Sequence, residues 1–139
     1  EVGPLYTQLI AILDRHELRE DAEIGAVFWM QGESDARYPD VAAEYLDNLT
    51  TLIGAFRDDL QNTELLFLMG RANPSPERYT ELPVVQRAQQ RIADDLAAVR
   101  LIDTEGLSKR EDGVHYDTAG LLELGRRFAA ALGAEIHSP

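Results

Sequence analysis

Short, nearly continuous apolar runs alternate along the chain with longer segments in which apolar residues recur every three or four positions. The apolar runs are Ile24–Met30, Leu65–Met69 and Val99–Ile102. Continuous runs of this length are typical of strands buried on both faces of a parallel sheet. Recurrence at three and four positions is typical of helices with one apolar face. The pattern therefore predicts a chain that alternates between strands and helices.

Four segments carry the helical pattern, and the first has Pro4 near its start, where proline is favoured. Asp117 or Thr118 is the predicted N-cap of the last helix. The resulting order, helix, strand, helix, strand, helix, strand, loop and helix, predicts an α/β layered fold with right-handed crossovers. The apolar stripes are Leu5, Leu9, Ile12 and Leu13; Val41, Tyr45, Leu49, Leu52, Ile53, Phe56 and Leu60; Val85, Ala88, Ile92 and Leu96; and Leu121, Leu124, Gly125, Phe128 and Leu132.

Residues 1–139 are enough for one domain with a real core and too few for two. A three-stranded parallel sheet would leave two apolar edges uncovered. The chain also begins on a helix, with no strand before it. We expect a single domain, incomplete at its N-terminus, whose first strand or strands are missing and which is poorly stable alone.

The amino-acid composition excludes several classes of partner and site. The formal charge of −12 disfavours nucleic acid as a partner, since that affinity comes largely from clustered Lys and Arg. No apolar run approaches the ~20 residues of a membrane-spanning helix, so no membrane is expected as a partner. The absence of cysteine excludes disulfides and thiolate sites and leaves the compartment open, whether extracytoplasmic, secreted or other. No metal-ligand spacing is present, so no metal is expected.

A polar segment follows the first predicted strand, with the sequence Trp-Met-Gln-Gly-Glu-Ser-Asp at positions 29–35. The carboxyl ends of parallel strands are where active sites gather in open α/β sheets. The amide of Gln31 and the backbone near Gly32 could donate hydrogen bonds into one crevice, as an oxyanion hole requires. The alternative interpretation is a plain strand-to-helix loop, in which Ser34 or Asp35 caps the next helix.

A second polar segment, at positions 111–117, follows the third predicted strand. Asp112 and His115 are close enough in sequence for the carboxylate to hold the imidazole in one tautomer. The histidine could then act as general base towards a hydroxyl nucleophile near neutral pH. The spacing is common, but its place at the carboxyl edge, just before a helix, strengthens the prediction.

Together these segments resemble the SGNH hydrolases, in particular the branch of sialate O-acetylesterases and carbohydrate esterase family six. Trp-x-Gln-Gly-Glu-Ser-Asp followed by Asp-Gly-Val-His carries the resemblance, and Val85–Gln89 is similar to a helix start in that branch. The resemblance implies a three-layer α/β/α, flavodoxin-like fold with a parallel sheet and no cofactor. It implies a serine ester hydrolase acting on an acetylated carbohydrate, either a sialate 9-O-acetylesterase or an acetylxylan esterase-like enzyme.

The resemblance also implies roles for individual residues. Asp112 and His115 would be the acid and base of a catalytic triad. Gln31 would stand where other members place an oxyanion-donating asparagine, with Gly32 shaping the turn. Glu33 would support or replace Asp112 as the partner of the histidine.

The chain departs from this family at the nucleophile. The family places its serine in a Gly-Gln-Ser-Asn motif after the first strand, and none of Ser34, Ser75, Ser108 and Ser138 follows Gly-Gln. We expect the serine to lie outside this chain, on an N-terminal segment or on a second chain. The alternative is a non-catalytic carbohydrate-binding or interaction module that retains the fold.

A rival arrangement lies within the chain itself. Gly32–Ala36 nearly matches the Gly-x-Ser-x-Gly nucleophile elbow of α/β-hydrolases. Ser34, Asp103 and His115 would then follow in triad order. Folds with that elbow are larger, however, with several strands before it.

Overall fold

The structure is a computed structural model that describes residues 2–17 and 23–136. Its elements follow the predicted order, with short 3₁₀ turns at Asp35–Arg37 and Pro76–Arg78. The α/β fold and its helices and strands are therefore confirmed. They are α1 (Pro4–Arg15), β1 (Ala26–Met30), α2 (Pro39–Asp59), β2 (Leu66–Gly70), α3 (Leu82–Asp95), β3 (Val99–Ile102) and α4 (Thr118–Ile136).

The three strands form one parallel sheet in the order β1-β2-β3. Met30 pairs with Gly70, and Gly70 pairs with Ile102, so the strands end level with one another. The loops that follow the strands consequently leave the sheet at one edge. This edge is where open parallel sheets place their ligands.

The sheet separates two apolar layers. Phe67 and Met69 of β2 are fully buried beneath the layer formed by α1, α2 and α3. Leu68, which points to the opposite face, is fully buried against α4 together with Leu124 and Phe128. Burial on both faces explains why the strand sequences are continuously apolar rather than alternating.

Within the described residues, β1 forms one edge of the sheet. The side chain of Phe28 on this strand is 52% exposed and packs edge-on against Phe128, with ring centroids 5.5 Å apart. Leu121 and Leu122 of α4 are also exposed. The α4 face of the sheet is thus only partly covered near β1.

Helix α1 differs from the prediction in the face that it buries. Leu5 is 79% exposed, and Leu9 and Ile12 are also exposed. The buried residue of α1 is instead Tyr6, whose ring packs edge-on against Phe56 at 5.0 Å. Periodicity alone placed the apolar stripe, whereas the side chain that enters the core cluster is the aromatic Tyr6, with Ile10 packed against that cluster.

Candidate active site

The turn after β1 depends on Gly32, which has a φ of +128° and is buried. A side chain there would meet Val85 Cγ1 at 3.0 Å, and Ala72 Cβ and the Tyr45 hydroxyl at 3.2 Å. Glycine is needed both for the backbone conformation and for this close approach. The predicted role of Gly32 in shaping the turn is therefore consistent with its packing.

The side chain and the backbone carbonyl of Gln31 form hydrogen bonds with different parts of the protein. The side-chain amide donates a hydrogen bond to Asp35 at the start of the 3₁₀ turn. The backbone carbonyl accepts from the Tyr45 hydroxyl at 3.2 Å and from the Gln89 amide at 3.3 Å. A primary amide has two N–H groups, so the bond to Asp35 leaves one available to a ligand.

The loop after β3 doubles back on itself before α4. Lys109 and Tyr116 form an antiparallel bridge, and the Arg110 N–H donates to the His115 carbonyl at 2.8 Å. Gly113, with a φ of +69°, closes the turn between them. Asp117 then caps α4, because its carboxylate accepts the Gly120 N–H at 2.8 Å. This confirms Asp117 as the predicted N-cap.

Asp112 and His115 lie together at the tip of this loop. His115 Nδ1 is 2.8 Å from Asp112 Oδ2, while Asp112 Oδ1 accepts the N–H groups of Val114 at 2.8 Å and His115 at 2.9 Å. The hydrogen bond with the His115 ring, followed by the two backbone N–H groups, holds the pKa of Asp112 well below its usual range. Asp112 is therefore an ionised partner for the imidazole.

The loop after β2 supports the turn that carries Asp112 and His115. The Ser75 N–H donates to the Gly113 carbonyl at 3.0 Å, and the Lys109 ammonium donates to the Asn73 carbonyl. The Thr104 hydroxyl donates to the Arg71 carbonyl at 2.7 Å. These bonds join segments far apart in sequence, so the two loops form one unit.

A cleft of about 550 Å³ opens between the turn after β1 and the loop after β3. Glu33 and His115 both line it, whereas Gln31 and Gly32 lie outside its lining. Among the described residues, His115 hydrogen-bonds to Asp112 and no such bond joins it to Glu33. The lining residues are Met30, Glu33, Ser34, Arg37, Tyr79, Arg110, Val114, His115, Tyr116 and Leu121.

Arg37 and Tyr79 also face this cleft, although neither belongs to a motif that predicted the site. Tyr79 is buried, and the Arg37 guanidinium lies 5.0 Å from the centre of its ring and donates to its hydroxyl at 3.2 Å. Such stacking holds the cation in a defined place. The only sequence signal for these two residues was that each lies in a loop that follows a strand. That signal did not distinguish them from their neighbours in the same loops.

The rival triad of Ser34, Asp103 and His115 does not form in this structure. Ser34 lines the cleft but has ordinary helical torsions, with φ −66° and ψ −39°. Asp103 Oδ1 accepts the Glu105 N–H at 2.9 Å, and its Oδ2 lies 3.9 Å from Arg127. The carboxylate beside the His115 ring is that of Asp112. The elbow interpretation thus lacks its acid.

A larger cleft of about 680 Å³ lies against β3 and α3, and its lining includes Asp103 but not Gln31, Gly32, Glu33, Asp112 or His115. In the described part of the chain, no group of three or more acidic or histidine side chains could hold a metal ion. None of the helices within residues 2–17 and 23–136 combines the length and apolarity needed to cross a membrane.

Comparison with known proteins supplies the family. Residues 2–134 match the family model of the sialic acid-specific acetylesterases, a group of carbohydrate esterases. A probable carbohydrate esterase of Arabidopsis thaliana is 35% identical over 109 residues, which are 78% of this chain and 40% of the relative. The X-ray structure of an Arabidopsis thaliana protein superposes with a TM-score of 0.81 at 28% identity, covering 93% of this chain and 52% of that one. The chain thus spans about half or less of the proteins that it matches.

Proposed function

Since this chain belongs to the carbohydrate esterase family of sialic acid-specific acetylesterases, we propose that the complete protein removes O-acetyl groups from a carbohydrate. The observation that carries the proposal is the hydrogen-bonded pair of Asp112 and His115 beside a cleft at the carboxyl edge of the sheet. A carboxylate-oriented histidine at such an edge is suited to activating a hydroxyl nucleophile.

The hydrogen bond to Asp112 supports a role for one particular nitrogen of His115. Nδ1 is engaged by Asp112, so Nε2 is the nitrogen that accepts the serine proton. The serine oxygen attacks the acetyl carbonyl, and the tetrahedral intermediate collapses to an acyl-enzyme. In that collapse the bond to the sugar oxygen breaks, and His115 gives its proton to this oxygen, which leaves as a hydroxyl group. His115 then takes a proton from water, which attacks the acyl carbon, and it passes that proton to the serine oxygen as the acyl–serine bond breaks and acetate leaves.

The nucleophile in this proposal is a serine outside these 139 residues. Two observations support that assignment. The His115 side chain is 73% exposed, which leaves room for another segment and a substrate above its ring. The chain also spans only 40% of the length of the Arabidopsis relative. An N-terminal segment of the same polypeptide or a second chain would supply the serine.

Donors for the oxyanion come from the turn after β1 in this proposal. The Gln31 amide retains one N–H beyond its bond to Asp35, and Gly32 permits the close-packed turn that fixes its position. Removing one oxyanion donor typically slows an enzyme ~10²–10³-fold. Glu33 shares the cleft with His115 and is the supporting carboxylate.

Between the two substrate classes, acetylated sialic acid and acetylated xylan, the charge of the cleft favours the first. Arg37 and Arg110 line the cleft with one carboxylate, Glu33, although the whole chain carries a formal charge of −12. The stacked guanidinium of Arg37 offers a fixed partner for the carboxylate of an acid sugar. A neutral xylan has no group that needs such a partner.

The test is acetate release by the complete protein from p-nitrophenyl acetate and from acetylated sugars, with and without His115→Ala. His16→Ala is the matched control, because His16 is an exposed histidine at the end of α1. We expect the first substitution to abolish turnover and the second to leave it unchanged. Activity that survives His115→Ala would end the proposal.

The same experiment separates the second candidate, a non-catalytic carbohydrate-binding module. A complete protein that binds acetylated sugar without releasing acetate would favour that module. Ser34→Ala in the same series tests the elbow arrangement: loss of acyl-enzyme formation would place the nucleophile at Ser34 and contradict an outside serine.

A further inference from the structure

Gln89 on α3 is a fully buried polar residue that touches the base of the candidate site. Its Nε2 lies 3.3 Å from the Gln31 carbonyl, the Tyr45 hydroxyl and the Gly70 carbonyl. Its Oε1 accepts the Ala72 N–H at 2.9 Å. One side chain therefore contacts the ends of both β1 and β2.

These partners fix the orientation of the amide. The oxygen must face the Ala72 N–H, and the nitrogen must face three oxygen atoms, so a flipped amide would leave buried groups unpaired. Burial raises the pKa of Tyr45, which keeps its hydroxyl protonated and able to donate to the Gln31 carbonyl at 3.2 Å. The hydrogen bonds from Gln89 and Tyr45 draw that carbonyl towards the protein interior.

The direction of one carbonyl sets the direction of the next N–H. The peptide bond between Gln31 and Gly32 is trans, as all the described peptide bonds are. In a trans peptide the carbonyl and the N–H point in opposite directions. With the Gln31 carbonyl turned towards Gln89, the Gly32 N–H points away from the buried amide. Neighbouring side chains leave little space beside Gly32, because a Cβ at this position would lie 3.0 Å from Val85 Cγ1 and 3.2 Å from the Tyr45 hydroxyl.

We propose that Gln89 is a positioning residue, which holds the peptide between Gln31 and Gly32 so that the Gly32 N–H and the Gln31 side chain serve as oxyanion donors. This inference rests on the proposed esterase function. Gln89 does not touch the substrate and acts through the turn. A helix residue far along the chain thus sets the geometry of a strand end, and a misplacement of about 1 Å at such a site can cost a hundredfold in rate.

The test replaces Gln89 in the complete protein. Gln89→Met keeps the volume and removes every hydrogen bond, while Gln89→Glu keeps an acceptor and removes the amide donors. Gln90→Met is the matched control on the same helix, because Gln90 is exposed and bonded to Asp94. Kinetics are measured well below the unfolding temperature of each variant, so that lost stability does not lower the folded fraction.

We expect Gln89→Met to lower kcat by about tenfold to a hundredfold with little change in KM, since an oxyanion donor acts chiefly on the transition state. Gln90→Met should leave both constants within about twofold, as is usual for exposed positions. Wild-type kcat in Gln89→Met would overturn the inference. If Gln89→Met does not fold, Gln89→Glu and Tyr45→Phe decide by the same criterion.

A second measurement separates this inference from the proposed function. In the ¹H–¹⁵N spectrum, Gln89→Met should shift the amide resonances of Gly32 and Glu33, and Gln90→Met should not. If the complete wild-type protein proves inactive, the proposed function fails, and this shift alone decides whether Gln89 positions the turn. Unmoved Gly32 and Glu33 resonances would overturn the positioning role.

Discussion

The imidazole of His115 and the carboxylate of Asp112 are joined by a 2.8 Å hydrogen bond within one loop. The second oxygen of that carboxylate accepts the backbone N–H of His115 itself. Asp112 therefore orients both the ring and the backbone of the residue that it serves. Removing its charge should disturb the tautomer of the ring and the shape of the loop together.

Asp112→Asn should lower kcat for acetate release by about a hundredfold. The general base that Asp112 orients, His115, should contribute ~10²–10⁴-fold, and the lower end is expected for Asp112→Asn because the Asp112 side chain is 43% exposed. Glu111→Gln is the control for the loss of one negative charge in the same loop, and Glu33→Gln asks which acid dominates. A larger loss in Glu33→Gln than in Asp112→Asn would make Glu33 the principal partner of His115.

The lowered pKa of Asp112 gives a prediction for pH. The hydrogen bond with the His115 ring and two backbone N–H groups favour the ionised form. The stability contributed by Asp112 is therefore fully present above a pH of about 3.9, the ordinary aspartate value. It is lost only as the pH falls below that value towards the lowered pKa.

Carboxyl ¹³C NMR of the chain checks this directly. Asp112 should stay ionised while ordinary carboxylates titrate at a pH of about 3.9. His115→Ala removes the largest contribution and should bring the Asp112 titration back towards that range. A native Asp112 signal that titrates near the ordinary value would contradict the hydrogen-bonded pair.

Gly113→Ala should destabilise the loop that carries the pair. The φ of +69° strains any alanine, and its methyl carbon would lie 2.1 Å from Ser75 Oγ and 3.1 Å from Ser75 Cβ. Gly106 is a matched control with a φ of +74° and open space around it. Gly106→Ala should cost about 1 kcal/mol in urea unfolding, and Gly113→Ala clearly more.

The close contact with Ser75 is the reason that Gly113→Ala should lose more stability than Gly106→Ala. Removing the Ser75 side chain should therefore abolish this extra loss. Ser75→Gly combined with Gly113→Ala should restore stability to near that of Gly106→Ala. Equal losses in the two single alanine variants would show that the torsion alone matters and that Ser75 does not pack against this position.

Arg37→Gln should discriminate between acidic and neutral substrates. We expect KM for an acetylated sialic acid to rise about tenfold, because a charge-assisted hydrogen bond is lost. KM for acetylated xylose should not change. Arg78→Gln provides the control, since Arg78 is exposed and lies outside the cleft lining. Equal effects on both sugars would remove Arg37 from substrate selection.

The continuous apolar runs predicted the strands closely, because burial on both faces leaves a direct mark on the sequence. The run Leu65–Met69 became β2 at Leu66–Gly70, and Val99–Ile102 became β3 unchanged. Helix α1 was less well described. Leu5, Leu9 and Ile12 of its apolar stripe are exposed, since helical periodicity locates a face without saying what covers it.

The features of the site that could not be predicted from the sequence depend on contacts between loops that are far apart along the chain. Ser75 forms a hydrogen bond with Gly113, which is 38 positions away, and no local sequence pattern predicts that contact. The stacking of Arg37 on Tyr79 spans 42 positions and is equally invisible in sequence. The Asp112–His115 hydrogen bond, by contrast, spans three positions, so its geometry was accessible from the motif.

The cap of α4 has a consequence for measurement. Asp117, whose carboxylate accepts the Gly120 N–H, comes two residues after His115. Tyr116, which lies between His115 and Asp117, is buried against α4. Opening of the loop would release the first turn of the helix with it. Amide hydrogen exchange at Gly120 should therefore report the local opening of the site as one cooperative unit, without any substrate or any turnover.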